Sequence, residues 1–155
     1  MNNKNKVLNI IFSFLFILVV AILGSIFVNI GMSWFNALTK PSQWIPNIVI
    51  PIVWTIIYST FAVVNFFWIK NNKIPLSTTI LMIINGVLNV LWCLCFFALK
   101  LLFIGNIVII LNLILGFILI VNIYTKKQLY AYILSVYPVW LSIATTLNLS
   151  LWILN

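Results

Sequence analysis

Residues 34–58 read W-F-N-A-L-T-K-P-S-Q-W-I-P-N-I-V-I-P-I-V-W-T-I-I-Y. This stretch holds three of the seven tryptophans, three of the five prolines and Lys40. A polar, proline-punctuated loop gives way near Ile48 to an apolar run, the signature of a chain passing from water into lipid. Aromatic rings beside a lone cation, at the mouth of a hydrophobic segment, suit a flat, greasy, partly anionic ligand. They equally suit an interfacial belt, since Trp and Tyr anchor membrane proteins at headgroup level.

The surrounding chain decides what the solvent is. Of 155 residues, 65% are hydrophobic and 5% charged. No soluble domain of this length could hide that much apolar side chain, so the fold class is an all-α integral membrane protein in a lipid bilayer. Every charge is a lysine, with no Asp, Glu or His present, which removes the parts for carboxylate pairs, Ser-His-Asp triads, His-based metal sites and carboxylate proton relays. No cofactor or metal site is expected. The net charge of +8 is spread singly or in pairs between apolar spans, which is not a nucleic-acid patch. Cys93 and Cys95, two apart on one helix, point away from each other and read as small hydrophobes.

Working outward, five spans are predicted in one domain: about 7–28, 48–69, 76–99, 101–124 and 129–153, with an aromatic lid loop at 29–47. The basic start and following apolar run resemble a signal peptide, but the run from Val7 to Val28 is too long for one. Its roughly 22 residues at ~1.5 Å each give about 33 Å, a bilayer's worth. Pro41 and Pro46 stiffen the loop, and Pro51 falls in the first turn of the second span, where a missing N–H costs little. Five spans place the ends of the chain on opposite sides. Lys4, Lys6, Lys70, Lys73, Lys126 and Lys127 then face Lys40 and Lys100 across the membrane, an asymmetry that puts the N-terminus in the cytoplasm and the first loop and C-terminus outside.

Inside the spans the polar residues form stripes. Asn85, Asn89, Trp92 and Phe96 share one face of the third span at 100° per residue. Pro51, Trp54, Tyr58, Ala62 and Asn65 do so on the second, and Tyr137, Trp140, Ala144, Asn148 and Trp152 on the fifth. Asn106, Asn112 and Asn122 of the fourth span share no face, and no joint role is assigned to them. The stripes read either as helix–helix seams, in which amides bond across helices and small residues allow close approach, or as the walls of a cavity lined by rings and a few amides.

Taken in order, these residues resemble the TspO/MBR family, the tryptophan-rich sensory and translocator (peripheral benzodiazepine receptor) proteins, and a bacterial member is expected. The resemblance rests on Trp34-Phe35, Leu38-Thr39-Lys40-Pro41, Pro46 and Val53-Trp54 with Tyr58. It continues through Asn89, Trp92, Phe96 and Phe97, then Tyr137, Trp140, Ala144-Thr145-Thr146-Leu147-Asn148 and Asn155. The chain departs from the pattern at Ile45, where a proline is common, at Gln43, where an aromatic is usual, and at Pro138, which follows Tyr137 instead of preceding it. No basic residue follows the fifth-span Tyr, which argues against sterol binding. Val121 to Lys126 fits only a loose sterol consensus.

The resemblance implies a five transmembrane helix bundle, a homodimer, and a pocket for porphyrins and haem-like tetrapyrroles under the first loop. That pocket would be lined by Phe35, Trp54, Tyr58, Asn89, Trp92, Cys93, Phe96, Trp140 and Ala144, with Trp34 and Lys40 in the lid. Lys40 would meet a propionate carboxylate. Trp54 and Trp140 match the two tryptophans associated with light-dependent porphyrin breakdown, a chemistry that needs no acid–base apparatus. The expected function is tetrapyrrole binding as sensor, scavenger or carrier. The alternatives are that breakdown activity, facilitated transport of another small apolar metabolite, or a purely structural scaffold.

Overall fold

The computed structural model describes residues 2–42 and 44–155, so the departure at Gln43 lies outside the described residues. Among them the chain is helical with no strand: α1 Asn3–Ala37, α2 Val49–Asn71, α3 Leu76–Cys93, a π-helical turn Leu94–Ala98 continuing α3, α4 Leu102–Tyr124, α5 Gln128–Leu134 and α6 Val136–Leu154. Five helical segments, with α5 and α6 together making the last, are long and apolar enough to cross a membrane. The protein is a multi-pass integral membrane protein. Its helices close a ring in the order α1, α2, α5–α6, α4, α3 and back to α1.

Three local features depart from the spans read in the sequence, and each has a physical cause. Helix α1 continues to Ala37, so residues 29–37, expected in the loop, are its last turns. Asn29, Gly31, Ser33 and Asn36 break the apolar run but not the helix, which stops only as Pro41 approaches. At ~1.5 Å per residue, its 35 residues reach about 52 Å, well past a hydrocarbon core of ~30 Å.

The third span ends in a wider turn, where Leu99 N–H donates to Leu94 O at 2.9 Å and Leu101 N–H to Cys95 O at 2.9 Å. Lys100 stands between them at φ 58°, the left-handed position that normally selects glycine at a helix end. The fifth span breaks at Ser135 because Pro138 has no N–H to give the Leu134 carbonyl and its ring crowds that carbonyl. Ser135 closes the gap locally, its Oγ donating to Tyr132 O at 2.7 Å.

Gly31 sets the tilt of α1. A Cβ there would stand 2.2 Å from the Phe97 carbonyl oxygen and 2.8 Å from Phe97 Cα, so α1 lies backbone-on-backbone against the π-turn. At the opposite end α1 is tied to α2, where Asn65 Nδ2 donates to Ser13 Oγ at 2.9 Å. Leaning onto α3 at one end and onto α2 at the other, α1 leaves a cleft between itself and α2 at the loop end.

Candidate functional site

That cleft is a cavity of about 420 Å³, within the range of small-molecule sites. Phe35 and Asn47 stand at its loop end; Pro51, Trp54, Thr55 and Tyr58 come from α2, and Asn89, Trp92, Cys93 and Phe97 from α3 and its π-turn. Its remaining wall is a face of α1: Ala21, Gly24, Ser25, Val28, Asn29 and Met32. Ser25, Asn29 and Met32, with Pro51 and Thr55 opposite, are exposed along the mouth. Beneath it lies a second space of only about 60 Å³, and Trp54, Tyr58 and Asn89 border both. Asn89 Nδ2 donates to Tyr58 Oη at 2.9 Å, which joins α2 to α3 and floors the larger cavity.

The rings form a column: Tyr58 to Trp54 at 5.6 Å, Trp54 to Trp92 at 6.4 Å and Trp92 to Phe96 at 5.9 Å, each within 30° of parallel. Two polar atoms beside the cavity lack a partner among the described residues. Asn89 Oδ1 is an acceptor on a side chain 5% exposed, and Trp92 Nε1 a donor on one 7% exposed. Leaving such groups unpaired costs about 1–3 kcal/mol each; both atoms are covered by their neighbours, so a ligand offering one donor and one acceptor would recover that cost only where the packing over them gives way.

The structure brings six of the expected residues to the cavity: Phe35, Trp54, Tyr58, Asn89, Trp92 and Cys93. Five others do not border it. Phe96, expected on the stripe with Asn89 and Trp92, is fully buried against Gly105 of α4 and against the rings of Trp34 and Phe35. The wider turn takes up an extra residue there, and Phe97 faces the cavity instead. Trp140 and Ala144 sit in the core because α6 packs mainly on α4, behind the wall formed by α2 and α3. Trp34 packs edge-on to Phe96 at 5.9 Å.

Lys40 belongs to the roof and is not a free cation. Its Nζ donates to Phe35 O at 3.2 Å and Asn36 O at 3.4 Å, capping the carbonyl end of α1, and stands 5.0 Å above the Phe35 ring. Trp44 covers the other side of that assembly, 5.8 Å from Phe35, and donates from Nε1 to Asn47 Oδ1 at 3.0 Å. The roof is fastened from far along the chain: Asn155 Oδ1 accepts from Thr39 N–H at 2.9 Å, and its Nδ2 donates to Thr39 O at 3.0 Å.

Sequence reasoning missed the α1 wall, although positions 21, 24, 25, 28, 29, 32 and 35 repeat at helical spacing and Ala21, Gly24, Ser25 and Asn29 among them are small or polar within an apolar run. Asn112 of α4 also has a role that the sequence did not reveal. With Asn85 it shares the single proton of Tyr137 Oη, at 3.0 Å and 3.3 Å respectively. Asn122 accepts from Thr78 Oγ1 at 2.7 Å. The fourth-span asparagines share no face because each meets a different surrounding.

The sequence model of the TspO/MBR family matches residues 12–153. No curated protein sequence matches the chain.

Proposed function

The chain belongs to the TspO/MBR family, and on that premise we propose that it binds a tetrapyrrole in the cleft between α1, α2 and α3, as a sensor, scavenger or carrier. In general terms, membership supports a membrane role in binding or moving molecules of the tetrapyrrole or sterol kind. The finer reading rests on one observation: a cavity of about 420 Å³ walled by stacked rings, with an unpaired acceptor on Asn89 and an unpaired donor on Trp92. A flat heteroaromatic ring system with both N–H and acceptor nitrogens matches that wall and that pair.

Light-dependent breakdown through Trp54 and Trp140 has less support. Trp54 borders the cavity, but Trp140 is 6% exposed and packed in the core. The lysine asymmetry supports a cytoplasmic N-terminus, with the roof and Asn155 on the far side. The homodimer implied by the family resemblance is part of the same proposal, to be checked by mass measurement in nanodiscs.

The test of ligand binding is a titration of purified protein with protoporphyrin IX in the dark, followed by tryptophan quenching. Saturable quenching is expected, and Trp92→Phe should weaken it several-fold by removing the buried N–H while keeping a ring. Quenching that never saturates, or that saturates identically in the variant, would overturn the reading.

A further inference from the structure

The end of the molecule away from the roof carries a recess that the tetrapyrrole reading does not use. Of about 600 Å³ and open to solvent, it lies between the first turns of α1 and the turn joining α2 to α3. Asn5, Lys6 and Leu8 line one side, and Asn71, Asn72 and Lys73 the other. Lys6 Nζ donates to Lys70 O at 3.1 Å, which holds the ammonium at the carbonyl end of α2 and leaves two of its three hydrogens free. Lys73 has no hydrogen bond or ion pair among the described residues, and the sequence holds no Asp or Glu to neutralise either cation. A recess with two ammonium groups, several side-chain amides and no internal counter-charge is built for an oxyanion.

Its position selects the kind of oxyanion. The recess sits where α1 enters its apolar run, and Leu8, which lines it, is followed down α1 by exposed Ile11, Phe12 and Leu15. A phosphate held by Lys6 and Lys73 would have its acyl chains directly against that apolar face. Free phosphate would gain only the charged contacts. We infer that this recess is a binding site for the phosphate headgroup of an anionic membrane lipid, independent of what the cleft at the other end binds. A juxtamembrane lysine contributes about a five- to sixfold gain to such binding, so two give roughly thirtyfold.

The test uses the full chain in detergent micelles, with added phosphatidylglycerol, phosphatidylcholine or inorganic phosphate. Bound lipid is counted by native mass spectrometry, and the thermal midpoint is measured alongside, because a ligand of the folded state alone raises it. Phosphatidylglycerol should be retained and should raise the midpoint, whereas phosphatidylcholine and inorganic phosphate should not. In the Lys6→Gln, Lys73→Gln double variant, phosphatidylglycerol affinity should fall roughly thirtyfold. The Lys126→Gln, Lys127→Gln double variant loses the same charge on the same side of the membrane but outside the recess, and should stay within about threefold of the parent because the bound phosphate contacts neither residue. Equal losses in the two variants would reduce the effect to bulk surface charge and overturn the site. A midpoint shift with inorganic phosphate as large as that with phosphatidylglycerol would overturn the lipid assignment.

Discussion

The two halves of the bundle use the same residue types to opposite ends. In the half away from the roof, asparagines and aromatics close seams: Asn65 reaches Ser13, Thr78 reaches Asn122, and Tyr137 links Asn85 with Asn112. The space left where that half meets the cleft is about 60 Å³. In the roofed half an equivalent stripe borders about 420 Å³, while side-chain atoms without a partner among the described residues occur in both halves: Asn89 Oδ1 and Trp92 Nε1 here, Asn65 Oδ1 and Asn112 Nδ2 in the closed half. An Asn-plus-aromatic stripe therefore does not announce a cavity. What separates the halves is the lean of α1, pulled against Phe97 by Gly31 at one end and tied to α2 by Ser13 at the other.

If that lean makes the cleft, Gly31→Val should do the most damage. The added side chain meets backbone, which cannot step aside, and the expected loss is ~3 kcal/mol or more, read as a lowered midpoint in thermal unfolding. An unchanged midpoint would remove the cause assigned to the cleft.

Tyr137→Phe probes the closed half. It strands Asn85 Oδ1 and Asn112 Oδ1 and should cost about 1–3 kcal/mol of stability while leaving dark porphyrin affinity unchanged. A parallel fall in affinity would mean that the halves are coupled.

Asn89→Leu should show the reverse pattern: porphyrin affinity weakened by roughly tenfold at most, with stability within about 1 kcal/mol, because the lost bond to Tyr58 is offset by removal of an unpaired acceptor. A large loss of stability with intact affinity would return Asn89 to the seams.

Asn155→Ala should have the smallest effect, under about 1 kcal/mol globally, but amide exchange at Thr39 should quicken as the roof loosens.

The comparison also explains what could be read in advance. The five spans and the family were legible because lipid imposes length and apolarity on each helix, and because the ring, amide and proline motifs fall in order. Six cavity residues were legible for the same reason. Phe96, Trp140 and Ala144, which the resemblance implied in the pocket lining, stand away from this cavity, because a shared helix face says nothing about which neighbour that face meets. One π-turn exchanged Phe96 for Phe97, and the break at Ser135 left α6 packed on α4. Lys40 was read as a lone lid cation for a propionate because sequence shows a charge but not the carbonyls of Phe35 and Asn36 within its reach.

The pair between Asn155 and Thr39 has a consequence in time. Its partners are 116 residues apart, and at roughly 5–20 residues per second a ribosome needs about 6–23 s to make the second after the first. Throughout that interval α1 and α2 can already lie in the bilayer with the loop between them untethered. The roof is thus latched only once Asn155 has been made, and a molecule in synthesis passes through an open stage that the latched one leaves behind.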